Sequence, residues 1–484
     1  LVFALYGGLF TDVAAETFSA TQGFAVRYFG WAYVLVSTGV LVLALWLGLG
    51  PARRVRIGGP DARPEFSTAG WFAMLFAAGM GVGLVYFGVA EPVTHFGDPL
   101  RAEPRSDAAL VEAMRIAFFH WGLHPWAIYG VLALAVAYAH FNRGLPLAPR
   151  SALEPLIGRR AWGPMGDAVD ILCTVGTLLG VATSLGLGAM QINASLAGFF
   201  GAPEGPGVQA TVVALITVVA TISVVLGVSR GVQRLSQLNI ALAALLLLFV
   251  ILAGPTLFIV EALVTGTGQY LQFLPRMSLF LDPGADAAWQ RDWTLFYWGW
   301  WISWSPFVAI FVARVSKGRT VGEFVAGVLG APVAATFLWL AAFGGAGLSL
   351  ARSGAEAEIW RAVEEGAAGA LQVMLGSLPL GGPATVLATL VIALFFITSS
   401  DSGSLVDDMV TSGGDPNPPR AQRVFWAVSE GAVAITLLWM GGLEAIRNAA
   451  ISLGLPMAAL LAAAAAALVR SEERRVGKEC FLLC

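Results

Sequence analysis

The stretch FYWGWWISWSPFVAIFVARVSKGRT, residues 296–320, determines how the rest of the chain is interpreted. It joins an apolar run to a basic end, as a membrane-crossing helix does, and such a helix needs ~20 mostly apolar residues. Tryptophan in membrane helices usually lies in belts at the two membrane surfaces. The tryptophans here instead flank the Ser-Trp-Ser-Pro sequence at 303–306, and they are Trp298, Trp300, Trp301 and Trp304. This placement predicts that the rings face the interior of the protein rather than the membrane surfaces.

The composition of the whole chain agrees with a membrane protein. Of its 484 residues 57% are hydrophobic and 12% are charged, whereas soluble domains carry about 25% charged residues. A net charge of -3 provides no basic surface for nucleic acid. The three cysteines are placed for neither a disulfide framework nor a zinc site. We therefore expect an all-α integral membrane protein whose surroundings are the lipid bilayer.

Apolar runs predict twelve transmembrane helices, of which the first is truncated. The spans are 1–11, 31–50, 69–93, 113–141, 166–198, 208–229, 237–265, 293–314, 320–350, 380–411, 422–441 and 444–469. The segment 268–292 is too polar to cross, so it is either an amphipathic helix on the outer surface or a plain extracellular loop. Loops after every second span are richer in arginine, which predicts that both true termini are cytoplasmic. Arginine-rich usage further suggests a bacterial plasma membrane.

Two of the predicted spans contain sequences that interrupt a helix. The third has glycines at alternate positions in Gly79–Gly83, and the eighth has Pro306, which removes a backbone hydrogen bond. Interruptions at matching places in two halves of a chain point to a transport site between inverted repeats. The alternative is a packing motif of glycines together with an ordinary proline kink.

These features divide the chain into five parts. Residues 1–68 hold two N-terminal helices and a cytoplasmic loop, 69–265 and 293–469 are two five-helix repeats, and 266–292 connects them on the outside. Residues 470–484 begin RSEERRVGKEC, which resembles a translated sequencing adapter, so we expect a non-native tail.

The fourth span supplies a second aromatic group. HWGLHPWAIY, residues 120–129, places Trp121, Trp126 and Tyr129 within about two helical turns. Several such rings around one cavity bind a quaternary ammonium by cation–π attraction, at ~2 kcal/mol or more per desolvated contact. The alternative is an interfacial belt, and the histidines of this segment are expected to be core residues.

The tenth span contains FFITSSDSGS, residues 395–404. Adjacent hydroxyls within an apolar helix suit sodium, a hard cation that takes several neutral oxygens, and carbonyls freed near Ala77 and Met80 could complete its shell. The alternative is that the hydroxyls simply bond to the preceding helical turn.

Four segments together closely resemble the betaine/choline/carnitine transporter (BCCT) family. They are WFAMLFAAGMGVGLVYFGVAEP, HWGLHPWAIY, the opening stretch at 296–320 and FFITSSDSGSLVDDMVTSGG, in family order along the chain. The resemblance implies a LeuT-like five-plus-five inverted repeat preceded by two helices, and often a homotrimer. It also implies a secondary transporter that works by alternating access, without a cofactor, rather than an enzyme.

Carried over position by position, the resemblance implies the following site residues. The substrate would contact Trp121, Trp126, Tyr129, Trp300, Trp301 and Trp304, with Met80, Gly81 and Gly83 of the third span. Sodium would be bound by Ala77, Met80, Phe395, Thr398 and Ser399. A second sodium would use Thr177 and Phe307, but Val181 stands where the family has another threonine and has no oxygen to offer, which puts a two-sodium stoichiometry in question.

Gly83 bears on the choice of substrate. Choline-transporting relatives tend to carry an aspartate there, which balances the positive charge of choline, and this chain has none. We therefore expect sodium-driven import of a zwitterion such as glycine betaine. The alternatives are a choline carrier coupled to sodium or protons, a carnitine carrier, and a membrane sensor of osmolytes. Thr398 and Ser399 argue against sodium-independent carnitine exchange.

Overall fold

The structure is a computed structural model, and it describes residues 2–79, 81–226, 229–282, 288–353, 356–415 and 418–482. Within the helices, the side chains of 2–5, 76–79, 223–226, 229–234, 356, 401 and 472–482 are outside this description. Throughout the described residues the chain is helical, with one isolated bridge between Arg56 and Thr320. The all-α class is thereby confirmed.

The helices follow one another along the chain with short connections. They are α1 (Val2–Leu9), α2 (Thr11–Leu49), α3 (Thr68–Gly79), α4 (Val82–Gly97), α5 (Asp107–Trp121), α6 (Leu123–Ala137), α7 (Pro149–Ile157), α8 (Pro164–Phe200), α9 (Pro206–Leu226), α10 (Ser229–Ala253), α11 (Thr256–Ser278), α12 (Ala288–Gln290), α13 (Phe296–Val315), α14 (Val321–Arg352), α15 (Glu356–Glu364), α16 (Ala370–Gly376), α17 (Gly381–Thr411), α18 (Arg420–Gly441) and α19 (Leu443–Leu482).

Among the described residues, nine helical segments are long and apolar enough to cross a membrane. They correspond to nine of the predicted spans. The first, third and sixth predicted spans contain shorter helices: α1, the pair α3 and α4, and α9. The structure thus agrees with a multi-spanning membrane protein, whereas the count of twelve and the LeuT-like repeat stay predictions.

Helix α13 lies at the centre of the helical bundle. It packs against α6, α8 and α19, and nearly all its side chains are buried. Helix α4 packs against α5, α8 and α14, and α17 packs against α8, α10 and α18. The tryptophan-rich stretch is therefore surrounded by protein rather than by lipid.

The eighth predicted span is continuous, so the interruption expected at Ser303–Pro306 is wrong. Proline cannot donate to the Ile302 carbonyl one turn earlier. The hydroxyl of Ser305 donates to that carbonyl instead, at 2.7 Å, and both residues are buried. Because the side chain satisfies the carbonyl, α13 passes through the proline without unwinding.

An interruption occurs instead in the fourth span, which was predicted to be continuous. Helix α5 ends at Trp121 and α6 begins at Leu123, with Gly122 in an irregular conformation. The Leu123 N–H donates to the hydroxyl of Tyr270 in α11, at 3.0 Å. Burial raises the pKa of the Tyr270 phenol, so this group stays neutral and stably accepts the bond.

Two further boundaries differ from the sequence prediction. The seventh span, placed at 237–265, ends at Ala253 because Gly254 and Pro255 stop the helix, and the amphipathic helix α11 begins at Thr256. The boundary at 266 between the first repeat and the connecting segment therefore falls inside α11. Residues 12–30, expected to form a loop, belong to α2, since they contain no proline to end it.

We predict that Ser305→Ala destabilises the protein by about 1 kcal/mol, because the buried Ile302 carbonyl loses the hydrogen bond from the Ser305 hydroxyl. Ser353→Ala is the matched control. The Ser353 hydroxyl makes the same kind of bond, to the Leu350 carbonyl, but it is exposed and water can replace it. Thermal unfolding of the detergent-solubilised protein measures the effect, and equal midpoints for the two variants would contradict this explanation of the continuous helix.

Candidate functional site

Three tryptophans of α13, Trp300, Trp301 and Trp304, form a continuous stack inside the bundle. The ring centroids of Trp300 and Trp301 are 4.6 Å apart and nearly parallel, and those of Trp300 and Trp304 are 6.0 Å apart. Phe307 continues the row at 5.8 Å from Trp304. All four side chains are buried, so their ring faces lie in a low-dielectric environment.

The aromatic side chains of the fourth span meet this stack from the other side. Trp121 lies edge-on to Trp301 with 4.9 Å between ring centroids, and Tyr129 lies edge-on to the same ring at 6.4 Å. Trp126 is 5.8 Å from Tyr129. The structure thus brings all six predicted rings into one cluster, which we call the aromatic cluster. Its role in substrate binding stays a prediction.

The glycine interruption of the third span lies beside this cluster. Helix α3 ends at Gly79 and α4 begins at Val82, with Gly81 in an extended conformation. A Cβ atom on Gly83 would overlap the ring of Trp300, whereas one on Gly81 would lie 3.7 Å from Trp304. The start of α4 therefore packs directly on the α13 rings, which it can do because residue 83 has no side chain. Met80 lies outside the described residues.

A buried carboxylate, Glu91 in α4, links the two aromatic groups. Its Oε2 accepts hydrogen bonds from Nε1 of Trp121, at 2.8 Å, and from the hydroxyl of Tyr297, at 2.5 Å. Its Oε1 lies 2.6 Å from Nδ1 of His120. The carbonyl of His120 in turn accepts from Nε1 of Trp301, at 3.1 Å. Glu91 thereby fixes the orientation of rings from α5 and α13 at once.

The sequence prediction did not assign Glu91 and Tyr297 to the site. The ring centroid of Tyr297 lies 5.5 Å from that of Trp121 and 5.7 Å from that of Trp301. Tyr297 therefore extends the aromatic cluster, and we call the cluster together with Tyr297 the aromatic wall. The signal for Glu91 was present, because an ionisable residue within a membrane span is functional by default. Its partners come from two other helices, α5 and α13, and no spacing in the sequence reveals that these meet it.

The group with metal-ligand chemistry in the described residues is Glu91, His95 and His120, whose ligand atoms lie within 4.8 Å of one another. All three side chains are buried. Glu91 already accepts bonds from the neighbouring indole, phenol and imidazole groups, so its oxygens are engaged as the anchor of the aromatic wall. Glu91 and His120 therefore form a hydrogen-bonded support, whereas the ring nitrogens of His95 have no hydrogen-bond partner among the described residues.

The residues assigned to the first sodium site are only partly described. Phe395 is buried, Thr398 and Ser399 are partly buried, and all three lie in the middle of α17. The Thr398 hydroxyl donates to the carbonyls of Leu394 and Phe395, at 2.9 and 3.2 Å. Ala77 lies in the last turn of α3, and its side chain is outside the description.

The residues of the second sodium site are all buried. The Thr177 hydroxyl has no hydrogen-bond partner among the described residues, and Phe307 continues the tryptophan stack. Val181 packs close to Gly403 of α17 and offers no oxygen. Of these three side chains, only that of Thr177 therefore offers an oxygen to a sodium ion.

Comparison with known proteins now adds to this geometry. A family model described as BCCT, betaine/carnitine/choline family transporter, matches residues 1–476. The chain belongs to the betaine/carnitine/choline transporter family. The resemblance carried by the tryptophan-rich and glycine-rich segments is thereby confirmed, and the protein is a transporter rather than an enzyme.

Three relatives show how similar the chain is to individual BCCT proteins. An uncharacterized transporter of Mycobacterium tuberculosis is 45% identical, over 96% of this chain and 79% of the relative. The glycine betaine transporter OpuD of Bacillus subtilis is 41% identical, over 97% and 92%. A glycine betaine/proline/choline/ectoine transporter of Vibrio parahaemolyticus is 40% identical, over 97% and 85%.

We predict that Glu91→Gln raises the KM for substrate uptake about tenfold or more, because hydrogen bonds to a charged group contribute ~1.5–3 kcal/mol. Tyr297→Phe keeps the ring and removes one of these bonds, so its effect should be smaller. Initial uptake rates in cells, normalised to the amount of protein in the membrane, measure both. An unaltered KM in Glu91→Gln would show that the aromatic wall does not need this anchor.

A second prediction compares Gly83 of α4 with a glycine that lies away from the aromatic cluster. Gly83→Ala should abolish most uptake, since the added methyl overlaps Trp300 and overpacking typically costs ~1–3 kcal/mol. Gly345→Ala in α14 is the control, because its methyl would lie 3.6 Å from the nearest atoms, which is an ordinary contact. Substrate binding to the purified variants measures the difference, and similar behaviour of the two would contradict the proposed packing.

Proposed function

We propose that the protein imports glycine betaine, a quaternary-ammonium compatible solute, by sodium symport and alternating access. The observation that carries the proposal is the aromatic cluster, in which six rings from the fourth and eighth spans meet beside an interrupted helix. A methylated ammonium cannot donate hydrogen bonds, so ring faces suit it better than carboxylates do. Trp301, which contacts rings from both spans, would be the central residue for the ammonium group.

The surroundings of the cluster suit a substrate that also carries a carboxylate. The indole N–H groups of Trp300 and Trp304 are buried and have no hydrogen-bond partner among the described residues. The first N–H groups of α4 lie next to these rings, at the positive end of the helix dipole. Both features would stabilise an anionic group, and Gly83 adds no competing charge. A zwitterion therefore fits better than choline, which has no carboxylate.

Sodium coupling rests on the middle of α17. The Phe395 carbonyl and the Thr398 and Ser399 hydroxyls lie within about one turn of this apolar helix. Several neutral oxygens so close together suit a hard cation, which supports our assignment of these groups as sodium ligands. The second sodium site is favoured by the Thr177 hydroxyl, which is buried and has no hydrogen-bond partner among the described residues.

The relatives support the substrate class. OpuD of Bacillus subtilis is named a glycine betaine transporter, and the Vibrio relative is named for choline, proline and ectoine as well. Choline transport, coupled to sodium or to protons, is therefore the second candidate. We further propose a location in a bacterial plasma membrane with both true termini cytoplasmic, and a homotrimeric assembly, which the family resemblance implies.

Uptake into proteoliposomes tests the proposal. Labelled glycine betaine, choline and carnitine would be offered separately, with a sodium gradient or a proton gradient imposed alone. We expect betaine accumulation that requires the sodium gradient. Accumulation driven by protons alone would overturn sodium symport, and a preference for choline would overturn the argument from the carboxylate.

We predict that Thr398→Ala raises the sodium concentration needed for half-maximal uptake severalfold, because one neutral oxygen ligand is lost. Thr389→Ala is a matched control, since the Thr389 hydroxyl also bonds one turn back in α17, to Thr385, but belongs to no proposed ion site. Uptake would be measured across a range of sodium concentrations at fixed ionic strength. If the two variants shift the sodium curve equally, Thr398 is not a ligand.

A further inference from the structure

Three carboxylates are buried where α17 packs against α8 and α18. Asp407 and Asp408 belong to α17 and Glu430 belongs to α18, and all three side chains are fully buried. Glu430 and Asp408 lie close enough to Asp407 to act on its charge. Like charges in one buried region repel one another, and an ionisable residue within a membrane span points to a function. Neither the aromatic cluster nor the proposed Thr398 site contains any of these residues.

Of the three carboxylates, that of Asp407 is the one that lacks support. The Nε of Arg423 lies 3.8 Å from Oδ2 of Asp408, and the Ser400 hydroxyl donates to Oε2 of Glu430, at 3.1 Å. Both oxygens of Asp407 have no hydrogen-bond partner among the described residues. A buried carboxylate in this condition is strongly unfavourable unless a positive charge accompanies it. Asp407 therefore requires a proton or a cation.

The register of two helices shows what faces this carboxylate. Two pairs of neighbouring residues fix the antiparallel packing of α8 on α17, and they are Val181 with Gly403 and Thr174 with Val410. Thr177 lies between the two α8 positions just as Asp407 lies between the two α17 positions, so both are at the same level. Asp407 also lies close enough to Cys173, one turn before Thr177, to act on its charge.

The side chain opposite Asp407 is itself without a partner. The Thr177 hydroxyl is fully buried and makes no hydrogen bond to any described residue, so it does not bond to Asp407 either. A proton on Asp407 would neutralise the carboxylate but would leave this hydroxyl unsatisfied. A cation coordinated by both side chains satisfies the two groups at once, and hard cations take oxygen ligands of this kind. The pair therefore favours a metal cation over a proton.

A cavity leads from the surface of the protein to this position. It measures about 320 Å³ and lies between the start of α8, the end of α17 and the start of α18. Thr174 lines it about one turn before Thr177, and the Thr174 hydroxyl is likewise buried without a partner in the described part of the chain. Thr411 and Gly413 line its exposed end. An ion can thus reach Asp407 from the side that we propose to be cytoplasmic.

The arginine that lines the same cavity does not repel a cation, because two acids neutralise it. Nη2 of Arg150 lies 2.9 Å from Oδ1 of Asp167, and its Nε donates to Oδ2 of Asp170. Asp170, Thr174 and Thr177 follow one another at the spacing of helical turns, so they share one face of α8. The way inwards is therefore lined by oxygen atoms.

We propose that Thr177 and Asp407 bind a sodium ion between α8 and α17, and that the Asp407 carboxylate supplies the oxygen that Val181 lacks. Glu430 and Asp408 strengthen the site through their negative charge. An ion held in this way joins two helices that otherwise place unsatisfied polar groups against each other. The inference rests on the proposed sodium symport and deepens it, since it gives the second ion a carboxylate ligand.

Binding of radioactive sodium to the purified full chain, without substrate, tests this site independently of transport. We expect two sodium ions per chain in the wild type and one in Asp407→Asn, because the amide keeps the shape of the side chain and removes its charge. Asp292→Asn is the matched control, since it makes the same change at a partly exposed aspartate before α13, and it should bind two. Thr177→Val serves if Asp407→Asn does not fold, and it should weaken binding of the second ion severalfold.

The outcomes separate this inference from the proposed function. One sodium ion in the wild type that Asp407→Asn leaves in place would overturn the inference and assign Asp407 to a proton, while sodium symport would stand. Two ions in Asp407→Asn, or an unaltered sodium titration in Thr177→Val, would also overturn it. One ion that Asp407→Asn removes would support this site and contradict the Thr398 site. No bound sodium in the wild type would overturn both the inference and the proposed sodium coupling.

Discussion

The contact on which the rest of the site depends is that between Gly83 of α4 and the ring of Trp300 in α13. Because residue 83 has no side chain, the beginning of a helix can approach the face of an indole deep inside the bundle. Aromatic ring faces and two indole N–H groups without a partner among the described residues then lie in one place, which is the arrangement that our proposal uses for the two charges of a zwitterion. A methyl group on residue 83 would overlap the Trp300 ring and force the start of α4 away from it.

The orientation of these rings also depends on a charged residue outside the aromatic cluster. Glu91 is fully buried, and burying an ionised carboxylate is costly unless hydrogen bonds stabilise it. It receives bonds from Trp121 and Tyr297, and His120 lies against its other oxygen. These bonds stabilise the carboxylate and, in the same geometry, hold two rings of the wall. One network of hydrogen bonds thus both stabilises the Glu91 carboxylate and orients the rings. It also places a negative charge near the position proposed for the ammonium group.

Sequence patterns predicted the parts of this structure that depend on local chemistry. Alternating glycines at 79–83 indicated the break between α3 and α4, and the spacing of Trp126 and Tyr129 indicated neighbouring rings. The patterns failed where a side-chain hydrogen bond, made either within the helix or from a distant helix, decides the outcome. Pro306 does not break α13, because the Ser305 hydroxyl replaces the missing donor. The break at Gly122 depends on the Tyr270 hydroxyl, which comes from another helix, and the partners of Glu91 are likewise assembled only by folding.

The most direct test of the central claim is to compare the binding of glycine betaine with that of 3,3-dimethylbutanoate, the isostere in which a neutral tert-butyl group replaces the trimethylammonium group. The two ligands share size, shape and carboxylate, and they differ in the positive charge that the rings are proposed to recognise. Calorimetric titration of the purified protein in sodium buffer gives both affinities. The account predicts that betaine binds about thirtyfold more tightly, corresponding to ~2 kcal/mol of cation–π attraction. Equal affinities would show that the rings provide only an apolar surface and would contradict the account.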